Sequence, residues 1–280
     1  MEPIVFLAIV LAAVMHAGWN AVIKSGSDPF ASVTHISMMS GAISLALLPL
    51  VPVPSSEAWS WLAASVVIHT AYRILLINAY HFGDLTHVYP IARGAAPLIT
   101  AVATWLLISE TIPLVGYFAI ALLSLGVFLM SLKGGRLGNL ESKVTLFALL
   151  SAISTSAYTL VDGIGARANG SGVGFAIWMF VGNAIAMQAV ALAWRGPAVW
   201  KAIGGSWRSA IAGATLAMTA YGIVIWAMTR APIALVAALR ETSVLFAALI
   251  GIMILGEPVT RWRVLAALAI AAGMMLMKLS

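Results

Sequence analysis

The chain has 280 residues, of which 62% are hydrophobic and only 9% are charged, and its mean hydropathy is +1.04. A water-soluble domain carries about 25% charged residues, so these values exclude a soluble globular protein and predict an integral membrane protein. The net charge of +6 comes from scattered basic residues that are not interleaved with aromatic residues, which argues against nucleic-acid binding.

Apolar runs separated by glycine, proline and charged residues predict about ten membrane-spanning helices. A span needs about 20 apolar residues, and within hydrocarbon a helix satisfies every backbone amide inside one segment. The fold class predicted is therefore all-α integral membrane. The predicted spans cover residues 3–23, 30–51, 59–81, 85–108, 113–132, 144–163, 172–194, 208–229, 232–255 and 261–278.

An internal repeat divides the chain into two halves, 1–135 and 141–280. Each half holds about five spans, and halves with an odd number of spans enter the membrane in opposite directions, so the sequence predicts two inverted five-helix repeats. One constant interval relates three pairs of residues across the halves: Arg93 and Arg240, Glu110 and Glu257, and Gly126 and Gly273.

Two matching segments carry a resemblance to a known family. The segment from Pro97 to Glu110 and its counterpart Gly256-Glu257-Pro258 resemble the EamA-type unit of the drug/metabolite transporter superfamily, and Trp19-Asn20 followed by Lys24 is similar to the signature of its first helix. The resemblance covers the whole chain, one unit per half. It implies a ten-helix secondary transporter that exports a metabolite by alternating access.

Polar side chains lie at three- and four-residue spacing on four of the predicted spans, so each set shares one helix face. Ionisable groups inside a bilayer are costly and face a cavity or a partner, so we expect the four faces to converge on a central cavity. The predicted substrate-binding residues are His16, Asn20, His69, Tyr72, Arg73, Tyr89, Arg93, Tyr158 and Arg240.

The two arginines related by the repeat, Arg93 and Arg240, have two interpretations. A guanidinium offers a planar fork for a carboxylate or phosphate, which favours binding of an anionic substrate. Alternatively, each arginine forms a buried ion pair with Asp162 or Glu241 that only holds helices together. The same two acids are candidates for proton coupling if burial raises their pKa, or for permanently ionised partners of arginine.

Other functional classes lack their motifs in this sequence. The chain has no cysteine, and its histidines are not spaced as a metal-binding cluster, so we expect no metal and no cofactor. No GxSxG, Walker or HExxH motif occurs, so we expect no catalytic residue and no enzyme. Glu110 and Glu257 precede predicted helices, where a carboxylate caps free amides, and we interpret them as structural.

The function predicted is export of a small polar or amphipathic metabolite, an amino acid or another carboxylate-bearing compound, across a bacterial inner membrane. The partners expected are the metabolite and the lipid bilayer, with the chain acting as a monomer or homodimer and binding no nucleic acid. The alternatives are uptake of a phosphorylated or phosphonate anion by the same fold, or a non-transporting membrane scaffold or enzyme.

Charges in the connections predict the orientation in the membrane, because basic residues of short loops stay cytoplasmic. The even loops and the termini hold only Arg167, Arg230 and Lys278. We therefore expect both termini in the periplasm. The odd-numbered loops hold Lys24, Lys133, Arg136, Lys143, Arg195, Lys201, Arg208, Arg261 and Arg263.

Overall fold

The structure is a computed structural model that describes residues 1–25, 28–82, 85–130, 142–201, 203–255 and 258–279. These residues form α-helices joined by short connections, and no strand occurs among them. The helices are α1 (Pro3–Ser25), α2 (Pro29–Leu47), α3 (Ala58–Phe82), α4 (Leu85–Ile108), α5 (Leu114–Leu129), α6 (Ser142–Ala168), α7 (Gly172–Arg195), α8 (Ala198–Lys201), α9 (Ile203–Met228), α10 (Ile233–Arg240), α11 (Ser243–Leu255) and α12 (Arg261–Leu279).

The all-helical membrane fold predicted from the sequence is confirmed. Within the described ranges, seven segments are long and apolar enough to cross a bilayer, and two shorter apolar helices, Ala92–Ile108 and Leu114–Leu129, accompany them. The count of ten spans stays a prediction. The seven segments are Pro3–Ile23, Phe30–Leu50, Thr145–Ala168, Gly172–Arg195, Gly205–Met228, Ile233–Met253 and Arg261–Leu279.

Side-chain caps fix the starts of two helices. The Asp28 carboxylate accepts hydrogen bonds from the amides of Phe30 (3.0 Å) and Ala31 (3.3 Å) at the start of α2. At the start of α7, the Ser171 hydroxyl accepts from the amide of Gly174 (3.1 Å). Each cap satisfies amides that have no partner within the first helical turn.

The start of α10 is capped from outside its own helix. Glu110 was expected to cap the helix that follows it, but its Oε2 instead accepts from the amide of Ile233 (2.8 Å) at the start of α10. Arg167 of α6 orients this carboxylate by donating to its Oε1 (2.9 Å), and donates also to the carbonyl of Met228 (2.8 Å). The structural role of Glu110 is therefore to connect the first half of the chain to the second. Glu257 lies outside the described residues.

The ninth predicted span, 232–255, was expected to be one helix, but the structure interrupts it. It breaks at Glu241 and Thr242, which separate α10 from α11. The amides of both residues bond to carbonyls three residues back, at 3.0 and 3.2 Å, and the Thr242 hydroxyl donates to the Leu239 carbonyl (2.7 Å). These bonds tighten the turn and place Glu241, which is 0% exposed, at a break inside the bundle.

The helix pairs of the bundle correspond between the two halves. Helix α3 packs along α6 as α9 packs along α1, and α2 packs on α9 as α7 packs on α3. Helices α2 and α7 form one further close pair, and α5 and α12 form the most extensive contact of all. Exchanging α1, α2, α3 and α5 for α6, α7, α9 and α12 therefore leaves this set of pairs unchanged.

Two glycines allow α5 and α12 to approach closely. A Cβ on Gly126 would lie 2.7 Å from Ile270 Cγ1 and 2.9 Å from the carbonyl oxygen of Ala266. A Cβ on Gly273 would lie 3.0 Å from the carbonyl oxygen of Ala119. Because the obstructing atoms include backbone atoms, the contact depends on small residues at both positions.

We expect Gly126→Ala to destabilise the protein by about 1–3 kcal/mol, the usual cost of an overpacked contact. Gly222→Ala in α9 is the matched control, because a Cβ there would meet nothing within 4 Å. Thermal unfolding of both variants in detergent measures the difference. Equal melting temperatures for the two variants would show that α5 and α12 do not depend on this approach.

Candidate functional site

A cavity of about 190 Å³ lies among helices of both halves. Since an apolar cavity of about 150 Å³ holds a benzene ring, this space accommodates a small metabolite. The cavity is lined by His16, Trp19, Asn20, Ile23, Val33, Ile36, Ser37, Ser40, His69, Tyr72, Arg73, Arg93, Tyr158, Met179, Phe180, Asn183, Ala217, Tyr221 and Arg240.

The predicted substrate-binding residues converge on this cavity, with one position undetermined. Tyr89 belongs to α4, but its side chain lies outside the described residues. The two acids predicted for coupling or ion pairing, Asp162 and Glu241, stand behind the lining and bind residues that form it. The residues that line the cavity are His16, Asn20, His69, Tyr72, Arg73, Arg93, Tyr158 and Arg240. Whether they bind substrate stays a prediction.

A buried charge cluster joins α1, α4 and α10. Arg93 Nη1 donates to Glu241 Oε2 (2.8 Å), and Arg240 donates to Glu241 Oε1 through Nη2 (3.1 Å) and Nε (3.3 Å). Arg93 Nη2 donates to His16 Nε2 (2.7 Å). A guanidinium cannot accept a hydrogen bond, so His16 is neutral here and carries its proton on Nδ1.

One carboxylate therefore serves two guanidiniums in this cluster. The exposed fractions of Arg93, Arg240 and Glu241 are 8%, 2% and 0%, so little solvent screens the three charges. The ion-pair interpretation of both arginines is realised with Glu241, whereas neither arginine forms a salt bridge with Asp162. Arg93 and Arg240 nevertheless line the cavity, which leaves contact with a substrate available to both.

Asp162 belongs to a second cluster that contains no arginine. Its Oδ2 accepts from His69 Nε2 (2.9 Å) and from the Tyr221 hydroxyl (2.5 Å). The predicted sixth span, 144–163, would put Asp162 near a helix end, where its carboxylate could reach water. This expectation was wrong, because α6 continues to Ala168 and Asp162 is 0% exposed.

Aromatic rings surround this second cluster. Tyr158 stacks on the His69 ring with 4.1 Å between centroids, and Tyr72 meets Tyr158 edge-on at 5.6 Å. The Arg240 guanidinium lies 5.8 Å from the centroid of Tyr158 and 6.0 Å from that of Tyr221. These distances are within the range of cation–π attraction, so the rings support a positive charge at this wall of the cavity.

Arg73 differs from the two other arginines of the lining. Its Nη1 donates to the backbone carbonyl of Asn183 (3.4 Å), and it forms no salt bridge with any carboxylate of the described residues. The Asn183 Oδ1 is buried and has no hydrogen-bond partner among them. Among the described residues, Arg73 is thus the cavity arginine that has no carboxylate partner.

Sequence reasoning missed two walls of the cavity. Ser37 and Ser40 of α2 form one wall, and Phe180 and Asn183 of α7 form part of another. Serines 37, 40 and 44 share a face of the second span, and Asn183 is an amide inside an apolar span; both signals are present in the sequence. Among the described residues, no group of three His, Asp or Glu side chains could hold a metal ion.

Comparisons with known proteins cover the whole chain. The model of the EamA-like transporter family matches residues 3–132 and, a second time, residues 142–279. A solved crystal structure of another protein superposes with a TM-score of 0.82 at 16% sequence identity, covering 100% of this chain and 99% of the other. At that identity the likeness concerns the fold alone. The comparison with curated proteins finds no match.

We expect Glu241→Gln to be more destabilising than Arg240→Gln. The first variant leaves two guanidiniums buried without their counter-charge, at a cost of about 3–5 kcal/mol, whereas the second leaves the Arg93–Glu241 pair intact. Melting temperatures in detergent compare the two. A smaller loss for Glu241→Gln than for Arg240→Gln would show that Glu241 does not balance both charges.

Proposed function

Because this chain belongs to the EamA-like transporter family, we propose that it is a secondary transporter or facilitator that exports a small, carboxylate-bearing metabolite across a bacterial inner membrane. The observation that carries the proposal is the charge of the cavity. Arg73, Arg93 and Arg240 line it, and no carboxylate side chain is found among its described lining residues. An anionic group is what such a surface recognises.

Arg73 is the group that we assign to the substrate carboxylate. Arg93, one of the two arginines related by the repeat, is already bound to Glu241 and His16. Arg73 has a backbone carbonyl as its partner, and that bond is long at 3.4 Å. A carboxylate that takes both ends of its guanidinium fork would form charge-assisted bonds without displacing an internal anion.

The remaining lining favours a substrate with an apolar part. Trp19, Tyr72, Phe180 and Tyr221 present rings to the cavity, and Ile36 adds an aliphatic surface. Small-molecule sites combine such apolar walls with a few polar groups that fix orientation. We infer an amphipathic metabolite, an amino acid or another organic acid, in preference to a compact and fully hydrated ion.

Alternating access follows from two inverted five-helix repeats, which we assign to residues 1–135 and 141–280. The correspondence of helix pairs between the halves supports this arrangement, as do the two matches to one family model. The bound pairs of the site also cross between the repeats: Arg93 meets Glu241, and His69 meets Asp162. Rocking of one repeat against the other would therefore change the surroundings of the substrate.

We expect Arg73→Gln to weaken binding of the transported carboxylate by about 10- to 100-fold, because a hydrogen bond to a charged group contributes about 1.5–3 kcal/mol. Amino acids, monocarboxylates, phosphate esters and phosphonates are first screened by thermal shift on the purified protein. Counterflow of a radiolabelled hit in proteoliposomes then compares the wild type with the variant.

Arg230→Gln is the matched control, since Arg230 is exposed and packs near Trp226 away from the cavity. It should keep the counterflow of the wild type. Hits confined to phosphate esters or phosphonates would favour the alternative substrate class. Stabilisation by amines alone, or unchanged counterflow in Arg73→Gln, would refute a carboxylate bound at Arg73.

For orientation, we expect both termini in the periplasm, because nine basic residues of the odd loops oppose three elsewhere and basic loops stay cytoplasmic. Alkaline phosphatase fused after Ser280 should be active, and a fluorescent protein fused there should be dark. The reverse pair of results would place both termini in the cytoplasm.

A further inference from the structure

Asp162 is a fully buried carboxylate without a cationic arginine or lysine partner among the described residues. Its Oδ2 receives two hydrogen bonds, from His69 and Tyr221, and its Oδ1 is buried with no hydrogen-bond partner in the described part of the chain. An ionised carboxylate is costly in such surroundings unless it is paired. The group able to supply a positive charge beside it is His69, if that ring takes up a proton.

His69 connects this carboxylate with the cavity. The ring lines the cavity and is 9% exposed as a residue. Its Nε2 faces Asp162 at 2.9 Å, so in the neutral ring Nε2–H donates to the carboxylate and Nδ1 is the position where a further proton binds. A proton from cavity water that binds Nδ1 converts the pair to imidazolium and carboxylate, and its return to water restores the neutral ring.

The position of Arg73 links this proton to the substrate. Arg73 follows His69 by one helical turn on α3, a spacing that puts Cβ atoms about 5–6 Å apart, and both side chains line the cavity. When no anion is bound, the positive charge of the Arg73 guanidinium disfavours a second positive charge on His69. An anion bound to Arg73 cancels that repulsion, so anion and proton each favour the binding of the other.

We propose that His69 and Asp162 form a proton-binding site that exchanges protons with the cavity and fills when an anion binds Arg73. The link between proton binding and an anion at Arg73 rests on the proposed function. The proton then moves with the anion, and export is driven by the outward gradient of the substrate. A neutral pair of ligands also crosses the membrane at lower electrostatic cost than an anion alone.

The charged and titratable groups around His69 and the cavity come from six helices. Tyr72 and Arg73 lie on its own helix α3, and α6 contributes Tyr158 and Asp162. Tyr221 of α9 meets the His69 ring edge-on at 5.7 Å. The other charged groups of the cavity belong to the separate cluster on α1, α4 and α10: His16, Arg93, Arg240 and Glu241.

A titration without any substrate tests the proton site. Protein labelled with ¹⁵N-histidine, in nanodiscs, is followed by NMR across neutral pH, and the His69 signal is assigned by its loss in His69→Gln. We expect His69 to take up one proton as the pH falls. Asp162→Asn should weaken this proton uptake, because the carboxylate that stabilises the imidazolium is removed.

Arg73→Gln imitates the neutralisation of Arg73 by an anion and should strengthen this proton uptake. Arg230→Gln is the matched control and should leave it unchanged. His35 is an internal reference, since its ring nitrogens bond to Ser206 and to the Val199 carbonyl. The proposal is overturned if the His69 ring takes up no proton, or if neither Asp162→Asn nor Arg73→Gln changes that proton uptake.

Benzoate is the probe for a bound anion, because it combines a carboxylate with a ring that the aromatic lining can hold. In weakly buffered detergent solution, its binding should be accompanied by proton uptake in the wild type and by none in His69→Gln. Benzoate that binds the wild type without proton uptake overturns the linkage. Failure of benzoate to bind counts against the proposed anion site, while the substrate-free titration still decides the proton site.

Discussion

The structure depends on how buried charge is balanced in a bundle that faces lipid. Each uncompensated charge at the centre of a span costs about 2.5–3.5 kcal/mol on insertion scales. The Glu241 carboxylate forms salt bridges with two guanidiniums at once and so reduces this cost for both. The carboxylate can reach both because the helix breaks at its position. Helix α10, all of whose residues are buried, holds this break against α1 and α4.

The cap on α10 shows how the surrounding helices keep that position fixed. A helix that is buried along its whole length cannot leave its first amides to solvent. Glu110 from the first half supplies the missing acceptor, and Arg167 from the second half orients it. The break at Glu241 and the cap at Ile233 therefore fix both ends of α10, and with them the position of Arg240 in the cavity wall.

Residue spacing along each span predicted which side chains share the cavity, because helical periodicity is local. His69, Tyr72 and Arg73 share a face of the third span for that reason. The partners across helices could not be predicted. Nothing local distinguishes Glu241 from Asp162 as the acid for Arg93, since the choice depends on the break after Arg240 and on how far α6 continues. Glu110 was assigned to the wrong helix for the same reason.

The pairing of the buried arginines and carboxylates affects which ligand charge the cavity favours. Among the described side chains at the cavity, the guanidiniums of Arg73, Arg93 and Arg240 outnumber the carboxylates of Asp162 and Glu241. One positive charge is therefore left over when both histidines are neutral. A neutral or cationic ligand would leave that charge unbalanced, whereas an anion would balance it. Selectivity of this kind comes from the cost imposed on wrong ligands as much as from contacts with the right one. In the proposed proton site, the charge that favours an anion also opposes a proton on His69, so anion recognition and protonation would both depend on Arg73.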